Sequence, residues 1–440
     1  MSTSVKNYFA TSSPSVGATV AEVPGLYGSF TFSEKLLQRI WARGEFEGAA
    51  ARTADGRTVK ILTPGKWNGL GGPDFLGARL RLDGMEMTGD IELHLHVGDW
   101  AAHAHARDPA YADVMLHVVL FPSEEIFTAG AGGRHIPVLA LLPLLQRGLE
   151  EYAEDAAVEA FAGRPLARVP AELAALDAST LKDLLARHAA RRWQQKIHFA
   201  RQRVAKLGWE EACHHTALEI LGHRSNRAPM LAVAAQFPLA AWAAGGVDLA
   251  AVWTSQDGRW QSRGVRPLNH PRWRLRQYAA WMVARPDWPA RLRALAKTLP
   301  VPSGASVVET RAVRRKFGLP AWRAKLSSAL CADAVRGTRF DTLVCDGFLP
   351  LLAAADKKGG LEVNNGLPVR SERAEISRAT PEDRDAPELG GLWQIWFPGD
   401  LPATLLPTLR VLGVFAAPAR PACQGAAQGL LGWLLETGKY

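Results

Sequence analysis

In the run Asp90-Ile91-Glu92-Leu93-His94-Leu95-His96-Val97, an acid or imidazole alternates with an aliphatic side chain at every position. A side-chain period of two belongs to an extended strand. The run therefore puts Asp90, Glu92, His94 and His96 on one face and an apolar set on the other. Same-face neighbours in a strand sit about 6.5–7 Å apart, close enough to share an ion or a water with a third group from a neighbouring strand. The polar face of an ordinary half-exposed strand is more often Thr, Lys, Ser and Glu. The run thus requires a sheet and points to a site on it.

Other β-like runs surround it. KILTP, GARLRLDG, TGDIELHLHV and VMLHVVLF follow Arg57, separated by Gly, Asn and Asp turn signals, and a later apolar run covers Ile136 to Leu145. Upstream, Ser33 followed by Leu36, Leu37, Ile40 and Trp41, with Gly44 beyond, predicts a capped amphipathic helix. One helix with three to four strands makes a compact α+β or α/β module around a small mixed sheet, over residues 26–149. Residues 1–25, rich in Ser, Thr and Ala, read as a flexible leader. From residue 150 to 440 the periodicity is mostly helical, with a long basic helix from Leu181 to Leu207 and a polar surface loop near 356–391.

Two domains suit a chain of 440 residues, too long for one ordinary core. With 48% hydrophobic and 22% charged residues it has a globular balance. No run approaches the roughly 20 apolar residues needed to span a bilayer, and no signal-type apolar segment is present, so a soluble cytoplasmic protein with no membrane partner is expected. The four cysteines, Cys213, Cys331, Cys345 and Cys423, contain no C-x-x-C pair and read as free thiols. The net charge of +9 is uneven: residues 1–150 hold 13 basic against 16 acidic residues, and the remainder 39 against 27. The basic excess of the second part suits a polyanion such as nucleic acid, although solvated helix faces account for it equally well. Oligomeric state is left open.

Gly71-Gly72-Pro73-Asp74-Phe75 opens the strand before the alternating run, and the Asp83-Gly84 turn pairs the two strands, bringing Asp74 beside Glu92. Two carboxylates from adjacent strands suit Mg²⁺, with His94 able to orient or deprotonate a bound water. His96 is a further candidate ligand, and His103 and His105 are candidates for ligation or for protonating a leaving group. Imidazoles favour Mn²⁺ or Zn²⁺, so the expected cofactor is Mg²⁺ or Mn²⁺, with Zn²⁺ as the alternative. His117, inside an apolar run, reads as a buried histidine satisfied by hydrogen bonds. Glu210, Glu211, His214 and His215 lack the H-E-x-x-H order and read as surface residues. In the second part, Arg191, Arg192 and Lys196 on the basic helix, and Arg266 and Asn269 in the segment Arg266-Pro267-Leu268-Asn269-His270-Pro271, are weaker candidates for nucleic-acid contact. The competing readings are a solvated helix face and an interhelical turn.

The segments PGKWNGLGGPDFLGARL, GDIELHLHVGDWAAHAHARDPAYADVMLHVVLF and GVRPLNHP resemble a bacterial family known as domain-of-unknown-function family 2851, over most of the chain from about Tyr27. That family implies no activity. A more distant resemblance is to the PD-(D/E)XK nuclease superfamily. Pro73-Asp74 is similar to its first motif and Glu92-Leu93-His94 to its second, with His in place of the usual Lys. Glu34 resembles the acid that some members carry on the preceding helix, and Lys66 is available to replace the missing Lys. This likeness implies a restriction-endonuclease-like first domain and metal-dependent cleavage of DNA or RNA through Asp74, Glu92 and His94. The alternatives are a degenerate nuclease fold that only binds nucleic acid or supports assembly, and a Zn²⁺-dependent hydrolase of a small substrate.

Overall fold

The computed structural model describes residues 20–25, 28–69, 71–162, 170–300, 302, 310–355, 389–402, 405–413, 415–417, 420–421 and 423–437. Most of the expected leader, residues 1–19, and the polar stretch 356–388 lie outside them. The chain divides into two compact units, Met1–Leu145 and Gln146–Tyr440. The first is mixed α and β and the second mostly helical.

Unit 1 begins with a hairpin, β1 (Val20–Gly25) and β2 (Gly28–Ser33), which leads directly into helix α1 (Glu34–Arg43). Ser33 caps this helix by accepting from Leu36 N–H, and Gly44 ends it at φ 59°, where a side chain would be strained. Leu36, Leu37, Ile40 and Trp41 form its buried stripe, as their spacing predicted. Then come β3 (Val59–Thr63), β4 (Lys66–Trp67), β5 (Phe75–Leu82) and β6 (Met85–His94). The short helix α2 (Asp99–Ala102) leads to β7 (Val114–Val119), β8 (Phe127–Ala129) and β9 (His135–Ala140).

These strands form one sheet of seven, larger than the three or four expected, in the order β3-β5-β6-β7-β9-β8 with β4 beside β5. β3, β5 and β6 are antiparallel; β6, β7 and β9 run parallel; β8 returns antiparallel to β9. Five of the seven cover the four β-like runs and the late apolar run; the other two, the two-residue β4 and three-residue β8, are too short to leave a periodic signal. Parallel strands at the centre are covered on both faces, which is why all six residues of β7 are buried.

In unit 2 the long helix Ala178–Leu207 follows the Asp177 cap, and its stripe Leu181, Leu185, Ala189, Trp193, Ile197 and Ala200 is buried. The helix Gln424–Thr437 packs along it through Gly429 and Gly432, where any Cβ would press on the partner helix. The later part of the stripe, Ala189 to Ala200, joins a core that gathers Trp281, Trp288, Trp393, Trp396, Tyr278 and Phe340. All four cysteines are free and buried. No helix among the described residues is long and apolar enough to cross a membrane.

Candidate metal centre

The strict alternation expected of residues 90–97 holds only over Ile91–His94. Before it, the pairing of β5 with β6 slips by one residue between Phe75 and Ala78, with Gly77 at φ 63°. The Asp90 carboxylate accepts from Gly77 N–H at this bulge and so stays out of the site. After it, β6 ends at His94. Asp99 Oδ2 takes the N–H of His96 at 2.9 Å, and the exposed His96 ring stacks on Phe121, 4.9 Å between centroids. The expected grouping of His96 with Glu92 and His94 is therefore corrected: the turn closed by the Asp99 side chain ends the strand two residues too early.

The turn that removes His96 delivers His103 and His105. α2 ends at His103, and Ala104 adopts φ 58°, a left-handed conformation costly for a residue with a Cβ. The chain thereby folds back on β6, and the donor nitrogens of His94, His103 and His105 all lie within 4.8 Å of one another. His94 Nε2 is 3.1 Å from His103 Nδ1 and 3.6 Å from Glu92 Oε1, which is also 3.5 Å from His105 Nε2. A tetrahedral ion with bonds near 2.1 Å separates its donors by about 3.4 Å. His105 Nε2 is buried and makes no hydrogen bond among the described residues. His94, His103 and His105 are thus grouped as closely as three donors to one ion are, with Glu92 Oε1 against two of them. His103 is exposed, leaving the cluster open to solvent on that side.

Asp74 stands beside Glu92, as the hairpin register predicted. Its backbone N–H donates to Glu92 Oε2 at 2.9 Å, while its carboxylate accepts from Leu93 N–H at 3.1 Å and from Gln38 Nε2 at 2.6 Å. Asn68 shapes the approach by donating to Pro73 O and Gly71 O. Glu34, on the first turn of α1, has a buried Oε1 without a hydrogen bond among the described residues. Burial, together with the Asp74 and Asp99 charges, raises its carboxyl to about 7. Burial and then the Asp74 charge push Glu92 well above the carboxylate range; burial also raises Asp74, against the hydrogen bonds from Gln38 and Leu93. Glu34 and Glu92 are each raised further by the Asp74 charge, so a cation arriving beside them would displace their protons. The imidazoles shift oppositely: burial brings His94 to about 2, His117 to about 3 and His105 to about 4, so each stays neutral and able to ligate. Lys66 is exposed on β4 opposite Leu76.

His117 is fully buried and hydrogen-bonded, as its apolar setting implied. His94 Nδ1 meets His117 Nε2 at 2.9 Å, and His117 Nδ1 meets Thr128 Oγ1 at 2.7 Å. Sequence reasoning missed Gln38, Asn68 and Thr128 altogether, because single polar residues on a helix, a loop and a short strand carry no pattern.

The cation candidates of unit 2 are not free. Arg192 is buried and pairs with Glu154 at 2.7 Å; Lys196 pairs with Asp346 at 2.8 Å and Arg191 with Glu436. Asn269 accepts from Arg274 across the Pro267–Asn269 turn, the structural role its prolines suggested. Arg266 is exposed and enters that turn through its backbone alone, its carbonyl accepting from Asn269 N–H at 2.8 Å. His214, read as a surface residue, is buried between Tyr278 Oη at 2.6 Å and Phe237 O at 3.0 Å.

Unit 1 is thus a mixed-sheet module with a carboxylate–imidazole cluster at the end of β6. Residues 34–252 match the profile of a family described as Protein of unknown function (DUF2851), a match that supports the family and takes in every residue of the cluster. No curated protein and no solved structure matches the chain.

Proposed function

We propose that unit 1 is a metal-dependent hydrolase acting on phosphodiester bonds of DNA or RNA. The observation that carries this reading is the meeting of Glu92 Oε1 with His94 and His105 at 3.6 and 3.5 Å, flanked by Asp74 and Glu34. The order of groups supports it: an acid on the first turn of α1, Pro73-Asp74 at the mouth of β5, and Glu92-Leu93-His94 ending β6 follow the layout of the PD-(D/E)XK motifs. A bound divalent ion supplies Lewis acidity and a water acidified for attack. Glu92, His94, His103 and His105 hold the ion, and Asp74 fixes Glu92 through its backbone N–H. Glu34, with a carboxyl near 7, holds or releases a proton close to neutrality. His94, its Nδ1 held by His117, offers Nε2 as a ligand and leaves the absent Lys without a direct substitute.

The test is to incubate the full chain with single- and double-stranded DNA and RNA in Mg²⁺, Mn²⁺ or Zn²⁺. Cleavage should appear with at least one ion and fall by at least a hundredfold in Asp74→Ala and Glu92→Gln. Equal cleavage in both variants removes the assignment. The nitrogen-rich donor set favours a second reading, a Zn²⁺-dependent hydrolase of a small ester or phosphate. It predicts turnover of a nitrophenyl substrate with no cleavage of nucleic acid.

A further inference from the structure

A hydrogen-bonded relay runs inward from the exposed edge of the cluster: His103 Nδ1 to His94 Nε2, His94 Nδ1 to His117 Nε2, and His117 Nδ1 to Thr128 Oγ1, at 3.1, 2.9 and 2.7 Å. A neutral imidazole has one donor and one acceptor nitrogen, and both nitrogens of His94 and of His117 are engaged. The relay therefore has only two proton arrangements. If Thr128 accepts, each ring N–H points inward, and the His94 Nε2 lone pair takes the His103 Nδ1 proton in the ion-free protein and is open to a cation once His103 gives that proton up. If Thr128 donates, His94 Nε2 carries the proton and cannot hold a cation.

We propose that His117 and Thr128 are positioning residues that hold the Nε2 lone pair of His94 toward Glu92, His103 and His105, making the cluster a site for a nitrogen-preferring transition ion of the Zn²⁺ class. Glu92, with three imidazoles around it, is the wrong donor set for Mg²⁺, which takes oxygen ligands in an octahedron. Outer-shell partners of ligating histidines fix their orientation and tautomer, and losing one weakens metal binding about 10- to 100-fold. Thr128 is 5% exposed, so valine, which matches its shape, leaves the His117 Nδ1 proton without an acceptor and drives the relay the other way. Serine keeps the hydroxyl. This inference rests on the reading of the cluster as a metal centre but is independent of the substrate.

The experiment is Zn²⁺ titration calorimetry on the full chain, with His105→Ala identifying the site. Nitrogen-15 spectra of the Zn²⁺-loaded protein then read the His94 tautomer. The expected result is a His94 Nδ1–H tautomer and Zn²⁺ that is not displaced by a hundredfold excess of Mg²⁺. Affinity should fall at least tenfold in Thr128→Val and return in Thr128→Ser. Equal affinity in Thr128→Val, a proton on His94 Nε2 in the loaded protein, or displacement by Mg²⁺ would each overturn it. Zn²⁺ uptake following this pattern without phosphodiester cleavage supports the relay and removes the catalytic assignment. Mg²⁺-dependent cleavage that Thr128→Val leaves untouched, alongside unchanged Zn²⁺ affinity, overturns the relay and keeps the catalytic assignment.

Discussion

Single side chains in the cluster act through charge and backbone conformation. Glu34 has a folded pKa near 7 against 4.5 for the free group, so the folded state binds the extra proton between these values. Its contribution to stability is greatest below pH 4.5 and is lost as pH rises through 7. His94, His105 and His117, lowered from 6.5, contribute fully above pH 6.5 and lose that contribution as pH falls toward their folded values. The metal-free protein should therefore be most stable on the acid side of neutrality. Glu34→Gln should flatten the decline from pH 4.5 to 7, raising stability at pH 8 by about 1–2 kcal/mol once solvent screening is allowed for; chemical denaturation across that range measures it. Ala104 makes a second case. Because its φ is 58°, Ala104→Gly should preserve or raise stability by up to about 1 kcal/mol and keep Zn²⁺ binding. Ala104→Val should lose binding by pulling His103 and His105 off His94. Glu92 and His94 were legible as a pair because period two survives at the end of β6. The loss of His96 was not, since it depends on one Asp99 hydrogen bond, and no hydrophobic pattern encodes such a turn contact.

Among elements, α1 shows how far pattern reaches. Its cap, buried stripe and Gly44 stop were all written in local chemistry, and the helix forms as read. The basic helix was legible as a helix but not in its electrostatics, because its partners lie far off in sequence. Arg203 and Glu219, 2.7 Å apart, belong to a buried network in which Arg147, Arg203 and Arg227 face Glu151, Asp155 and Glu219. The charges balance, and the Arg227 and Arg147 guanidiniums hold Asp155 far below the usual carboxylate range against its burial. Removing one member strands its partner, so Glu219→Ala should cost about 3–5 kcal/mol in denaturant unfolding. Adding Arg203→Met to that variant should recover part of the loss, a coupling that a double-mutant cycle reads directly.

At the scale of the whole chain, the split between a β-rich first part and a helical second part was visible from the change of period near residue 150, and the two compact units meet at 145/146. The charge asymmetry was visible too. Its use was not, since several of the basic residues that favoured a polyanion are held inside unit 2. Two separate cores predict two unfolding transitions in calorimetry. Zn²⁺ should raise one of them by mass action and leave the other in place, and Glu92→Gln should abolish that response. One long-range feature sets a different constraint. The first half of the stripe of Ala178–Leu207, with Leu181 and Leu185, is covered by Gln424–Thr437, and the ion pair joining these helices spans 245 positions of sequence. On the ribosome, the first half of the earlier helix must wait with its greasy side bare until synthesis delivers its lid. Nascent unit 2 is then a natural client for chaperones, while the β-rich part upstream can already have collapsed.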